Sequence, residues 1–305
     1  MSDIHDAHTA LSDVAARTLA NATKTVPMMS TITPRWLVHL LQWVPVEAGI
    51  YRVNKVKNET RIAVDCSNLD ERTLPQTYVD YEEWGREYRL GAVNSVLDIH
   101  TRVSDLYSSP HNQIQEQLRL TIETIKERQE SELINNAEYG LLNNVAADNK
   151  VQPRTGAPTP DDLDELLAKV WKQPAFFLAH PLAIAAFGRE CTRRGVPPAT
   201  VTLFGSPFIT WRGVPIIPSD KLKIVNGKTN ILLLRTGESR QGVVGLYQPN
   251  LTGEQSMGLS VRFMGINHKA IASYLISLYC TLAVLTDDAL AVLENVVVDK
   301  YHEYK

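Results

Sequence analysis

The stretch Ser30–Val56, STITPRWLVHLLQWVPVEAGIYRVNKV, constrains this chain more than any other. Thr33 suits a helix cap, Pro34 the first helical position and Pro45 the end. Within the helix this predicts, the polar residues are Arg35, His39 and Gln42, spaced so that they form one narrow stripe. Trp36, Leu37, Leu40, Leu41, Trp43 and Val44 take the rest of the circumference. A helix apolar on most sides must be covered on most sides, by its own domain or by a neighbouring subunit.

Residues 1–30 read as an arm. Leu11, Val14, Ala15 and Leu19 recur at helical spacing, and ANATKTVPMMSTITP is a tract that needs a partner surface to hold a structure. GIYRVNKV and RIAVDC are β-prone runs joined by KNET, a hairpin pattern. Asp65–Gly91 is polar and rich in tyrosine, which predicts an extended, functional excursion. A long helix is predicted from Pro110, capped by Ser109, to Tyr139, with Gly140 as its stop. Its apolar face is Ile114, Leu118, Ile122 and Ile125, and about 30 residues at 1.5 Å each would span roughly 45 Å.

Thr159 and Pro160 open another helix, with Asp161 and Asp162 favouring its positive end. FFLAHPLAIAAFGRECTRRG reads as a further helix with a glycine stop, followed by short strands in FITWRGVPIIPS, TNILLLR and GVVGLYQP. The uncharged run Ala270–Thr286, AIASYLISLYCTLAVLT, reads as a helix buried in protein. It falls short of the roughly 20 apolar residues of a membrane span, and Lys269 and Asp287 close it off. Helices and strands alternate without a βαβ rhythm or repeat, which predicts α+β architecture.

Chemistry is hard to find. With 44% hydrophobic residues and net charge -3, the chain is globular and lacks the basic balance that nucleic-acid binding requires. Cys66, Cys191 and Cys280 are odd in number and far apart, which fits neither a disulfide framework nor a zinc site and points to a reducing cytosol. The first residues lack the basic start and apolar block of a secretory signal. GKT at Gly227–Thr229 resembles the end of a phosphate loop, but Leu222 stands where its first glycine is needed. Asp161, Asp162, Asp164 and Glu165 fit helix capping better than metal binding. His5 and His8 sit in the terminal tail, His39 in a polar stripe, and His180 beside no cysteine, serine or acid. Cys191 ahead of Arg193 and Arg194 is better read as a buried thiol than as a reactive one. No catalytic, cofactor or metal site is expected.

ATKTVPMMSTITPRWLVHLLQWVPVEAGIYRVNKV, RTGAPTPDDLDELLAKVWKQPAFFLAHPLAIAAFGRECTRRGVPP, WRGVPIIPSDKL and GLSVRFMGINHKAIASYLISLY resemble encapsulin shell proteins. More narrowly, the whole chain resembles the second encapsulin family, in the branch without a cyclic-nucleotide-binding domain (family 2A). The resemblance implies an HK97 phage-capsid-like fold. Residues 1–45 would be the N-terminal arm and helix, 46–100 the E-loop region and 101–173 the P-domain with its spine helix. Residues 174–266 would be the A-domain, and 267–305 the return to the P-domain and a C-terminal tail.

It also implies a cytoplasmic, non-enzymatic shell of about sixty copies closed by symmetry, with interfaces on the order of 2,000 Å². The enclosed cargo would be a cysteine desulfurase, a pyridoxal-phosphate enzyme of sulfur metabolism, loaded through a disordered extension. Trp36, Leu40, Trp43, Tyr51 and Val53 are then expected at the assembly interface, and Arg193, Arg194 and Gly195 at a pore. A prophage major capsid protein shares the fold, and a peripheral membrane protein would also account for the apolar helices.

Overall fold

The computed structural model describes residues 30–54, 56, 64, 75–100 and 113–301. The expected amphipathic arm (Leu11 to Leu19), the KNET turn, Cys66, His5, His8 and the Ser109–Pro110 cap all lie outside them. Met1–Thr33 forms a separate unit, and Pro34–Lys305 forms the body considered below.

The body opens with helix α1 (Trp36–Leu40) and strands β1 (Trp43–Pro45), β2 (Ile50–Val53), β3 (Arg86–Arg89) and β4 (Gly91–His100). Helix α2 (Gln113–Asn135) follows, then β5 (Lys150–Val151), α3 (Pro160–Lys169), β6 (Phe176–Ala179) and α4 (Pro181–Arg193). The remainder is β7 (Ala199–Leu203), β8 (Ser206–Trp211), β9 (Val214–Pro218), β10 (Lys228–Leu234), β11 (Val243–Tyr247), β12 (Glu254–Ser256), β13 (Leu259–Ile266), β14 (Ile271–Val284) and β15 (Leu290–Val297).

Two sheets organise these elements. The first runs β1-β11-β14-β13-β12, with β4 also paired to β14; the second runs β5-β15-β10-β6-β9-β8-β7. Most ladders are antiparallel, with parallel pairings at β1–β11, β5–β15 and β6–β9, so the fold is α+β rather than doubly wound. The sheets interleave along the chain. Residues 243–266 supply β11, β12 and β13 to the first sheet, while β15, close to the C-terminus, joins the second.

Three expected helices differ in the structure. The run Ala270–Thr286 is β14, a strand rather than a helix. Ile276, Leu278, Cys280, Leu282 and Val284 lie in one buried cluster with α2, and Ala283 and Leu285 lie in another. A strand buried on both faces is continuously apolar, so its sequence carries no period that separates it from a buried helix.

The predicted Pro34–Val44 helix is cut to five residues because Trp43–Pro45 pairs in parallel with β11. Its cap is Arg35, in left-handed conformation (φ 49, ψ 50), rather than the expected Thr33, and Pro34 lies outside the helix. FFLAHPLAIAAFGRECTRRG splits into β6 and α4 at His180–Pro181, since proline cannot sit inside a helix and holds the residue before it extended. His180 caps α4 through Nδ1, which accepts the Leu182 N–H at 3.1 Å.

Other signals hold. Thr159 and Asp162 form a reciprocal capping box at α3, with Pro160 in the first turn. Helix α2 ends at Asn135, short of the expected Tyr139, so Gly140 is not its stop; its 23 described residues span roughly 35 Å. Gly140 follows in a turn where any Cβ would come within 2.4 Å of the Asn136 backbone. In β6 and β10, Phe176, Leu178, Leu232 and Leu234 pack toward the first sheet and α2, while Phe177, Ala179, Ile231 and Leu233 pack toward α3 and α4. The second sheet is therefore covered on both faces by its own subunit.

Candidate assembly surfaces

A five-residue helix has no stability of its own, so α1 exists because it is seated. Its seat is α2. Glu130, 2% exposed, accepts the Leu37 N–H at 3.0 Å and satisfies a first-turn donor. Arg35 reaches Glu123 at 2.6 Å and Glu127 at 3.4 Å, and Lys221 meets Glu127 and Asp220, each at 2.8 Å. Burial pushes the Glu130 carboxyl up to about 7; the Leu37 N–H and the Lys221 charge pull the other way.

The expected interface residues of this segment are brought together. Trp36 stacks on Phe204 at 5.5 Å and meets the edge of Phe208 at 5.3 Å. The Trp43 indole N–H donates to the Val38 carbonyl at 2.9 Å. Its ring lies against Gly245, where a Cβ would approach to 2.7 Å, so β11 needs glycine there. Trp36, Leu40 and Trp43 are half-buried against their own subunit.

Tyr51 and Val53 belong to a different cluster, with Val46, Tyr88, Leu246 and Leu285 at the base of the excursion between β2 and β3. The Tyr51 hydroxyl donates to Glu238 at 2.9 Å; burial first, and then that carboxylate, pushes the phenol up to about 12. Tyr88 donates to the Val284 carbonyl at 2.7 Å, and Arg86 pairs with Asp287 at 3.0 Å. The base is thus fastened to the first sheet. Tyr78, Val79, Tyr81 and Trp84, which lie between β2 and β3 in the chain, are exposed.

Arg193, Arg194 and Gly195 lie together on the surface at the end of α4. Both arginines are used within the subunit: Arg193 with Glu190 at 2.7 Å, Arg194 with Asp161 at 2.9 Å. Gly195 (φ 68) makes the left-handed turn that closes the helix. Neighbouring Cys191 is fully buried, and burial pushes its thiol up to about 11, which makes it inert. Among the described residues, no cluster of histidine, cysteine and acidic side chains is arranged to hold a metal ion. No described helix is long and apolar enough to cross a membrane.

Sequence reasoning missed Glu130, Phe204, Arg235 and the β13 tip. Arg235 carries charge at the end of the apolar run ILLLR, a usable signal, whereas Glu130 stands among the polar residues of KERQESE and gave none. Arg235, 1% exposed, pairs with Asp288 at 2.7 Å and holds that carboxyl well below the usual range.

A spine helix along one sheet, a second sheet packed between that layer and two shorter helices, and the two-stranded β2–β3 pair define a subunit of the HK97 capsid class. A chain from the capsid of native GTA particle shares the fold at TM-score 0.60 and 12% identity, covering 89% of this chain and 94% of its own. That distant likeness fixes the fold; closer relatives fix the family.

The chain belongs to the type 2A encapsulin shell proteins: residues 48–300 match the family described as "Type 2A encapsulin shell protein SrpI-like". It is 76% identical over 296 residues to the type 2A encapsulin shell protein SrpI of Synechococcus elongatus, covering 97% of each chain. The cryo-EM structure of the holo-SrpI encapsulin complex from that organism matches with TM-score 0.87 and 73% identity, over 97% of this chain and 99% of that one. These relatives are named as shell proteins, not as enzymes.

Proposed function

We propose that about sixty copies of this chain close into an icosahedral cytoplasmic compartment, through heterologous contacts repeated by symmetry. The observation that carries this reading is the family match across residues 48–300. In that compartment the first sheet with α2 acts as the P-domain, the second sheet with α3 and α4 as the A-domain, and the β2–β3 excursion as the E-loop. Trp36, Leu40, Trp43, Tyr51 and Val53 position the segments that meet neighbours, and the Arg193–Gly195 turn lines an opening.

The shell performs no chemistry of its own. Its cargo is a cysteine desulfurase carrying pyridoxal phosphate, entering through a disordered extension, and its role is in sulfur metabolism. Negative-stain microscopy of protein purified from its native cytosol, with mass spectrometry of the contents, tests both parts. Closed particles holding a desulfurase and the absorbance of a lysine-bound pyridoxal phosphate are the expected result. Particles with a different enzyme would overturn the cargo alone, and a stable monomer would overturn the compartment.

A further inference from the structure

Helix α1 is held at two places that lie far apart in sequence. Its first turn sits on Glu130 of α2, which is 2% exposed and accepts the Leu37 N–H at 3.0 Å. Its Trp36 ring covers the tip of the β7–β8 hairpin, stacked on Phe204 at 5.5 Å and edge-on to Phe208 at 5.3 Å. Phe204, with φ 51, makes the hairpin turn. Five residues cannot hold a helix alone, so whatever weakens the α2 seat also weakens the grip on the hairpin.

The seat is balanced around a neutral Glu130. The charged and titratable groups around it are Glu127 on its own helix and Asp220 and Lys221 from the β9–β10 connection; α1 contributes Arg35 and the exposed His39. Three carboxylates, Glu123, Glu127 and Asp220, are met by three cations, Arg35, Lys126 and Lys221. An ionised Glu130 adds a fourth carboxylate to this group. Burial opposes that charge and outweighs the Leu37 N–H and Lys221, which favour it. Charge at Glu130 is therefore accommodated by admitting water, and α1 is the element seated over it.

We propose that α1 is a pH-operated latch: protonated Glu130 holds it on α2 with Trp36 over the β7–β8 tip, and ionisation releases both contacts together. Linkage sets the direction. The closed seat keeps its proton to about pH 7, whereas the open one has the ordinary 4.5. Closure is fully favoured below pH 4.5, and the open fraction climbs with pH until it levels off above about 7. Both contacts lie within one subunit, so the latch does not depend on the shell reading.

Hydrogen exchange in the full-length chain tests this at the Leu37, His39 and Leu41 amides, which bond to Glu130, Arg35 and Leu37. Corrected for the pH dependence of free amides, the opening constant of α1 should rise on the order of thirtyfold between pH 5.5 and 8. Exchange across the Leu203–Ser206 pair should rise with it. At every pH these openings should be about a hundredfold or more commoner than the one that exposes β10. Glu130→Gln should flatten the profile, and Lys221→Met, which removes a charge favouring ionisation, should carry the rise to higher pH. A flat profile in the unaltered chain, the same rise in Glu130→Gln, or α1 protection equal to that of β10 would overturn the latch. An opening α1 beside an unmoved hairpin would overturn its hold on β7–β8. If Glu130→Gln does not fold, Lys221→Met decides, and an unmoved rise counts against the latch.

Discussion

In β10, Ile231, Leu232, Leu233 and Leu234 are at most 2% exposed, although their side chains point to opposite faces of the sheet. In β13 of the same subunit, Phe263, Met264 and Ile266 are each more than half exposed. Both strands are apolar and both lie in large sheets, yet one is finished within the chain and the other is not. The second sheet, with α3 on its cap and α4 beside it, is built to fold. The far end of the first sheet, and Tyr78, Val79, Tyr81 and Trp84 between β2 and β3, leave their apolar side chains exposed in the subunit. Substitutions test whether stability and assembly separate along the same line.

The largest effect is expected in the finished region. Phe177→Ala removes a ring that is 0% exposed between β6 and α4 and should cost about 3–5 kcal/mol. Soluble folded subunit should then be largely lost; wild-type yield and melting temperature would contradict the comparison.

Trp43→Ala empties the space over Gly245 and frees the Val38 carbonyl, at a cost of about 3 kcal/mol for a half-buried indole. Unassembled or aggregated chains are expected, and intact shells of normal size by electron microscopy would argue against this. The residue sits between the two regions, so the outcome places the boundary.

Glu130 gives a pH dependence. Its carboxyl titrates near 7 in the folded chain, above the 4.5 of an unfolded one, so the folded state holds the proton more tightly. That contribution is complete below pH 4.5 and is lost as pH rises through about 7, at most roughly 3 kcal/mol in all. Charged groups facing it are Glu127 on its own helix and Asp220 and Lys221 from the β9–β10 connection. Glu130→Gln keeps an acceptor for Leu37, and its melting temperature should fall less between pH 5 and 8.5 than that of the unaltered chain. Identical slopes for the two proteins would remove Glu130 from the account.

The smallest effect on the subunit belongs to the unfinished region. Trp84→Ala should change unfolding free energy by less than about 0.5 kcal/mol, as expected for an exposed side chain. It should still reduce particle yield. A large stability loss would show that the excursion is part of the folding core.

Much of this was legible in the sequence, for identifiable reasons. The Thr159 cap and the apolar face of α2 are local signals, and local signals survive folding; the Gly140 stop did not hold, because the helix already ends at Asn135. The Ser30–Val56 segment and the Arg154–Arg194 block carried the family. Burial from both sides hid β14, because it erases the alternation that marks a strand. The length of α1 was set by β11, which is some two hundred residues away in sequence, and no local rule encodes a parallel partner. The β13 tip went unread for a related reason: with its neighbour β14 taken as a helix, β13 had no sheet whose outer edge could stand open.

Strand β14 extends from Ile271, beside the open tip, to Val284, inside the core that Tyr88 fastens. Its ladder with β4 is continuous from Gly91 to His100. It can slide only by breaking that ladder together and landing two residues away, since a one-residue slip would exchange the side chains of its two packed faces. Such a beam has no compliant joint. A load applied at its Ile271 end would be shared along the whole β4 ladder and delivered to the Val284 end inside the core.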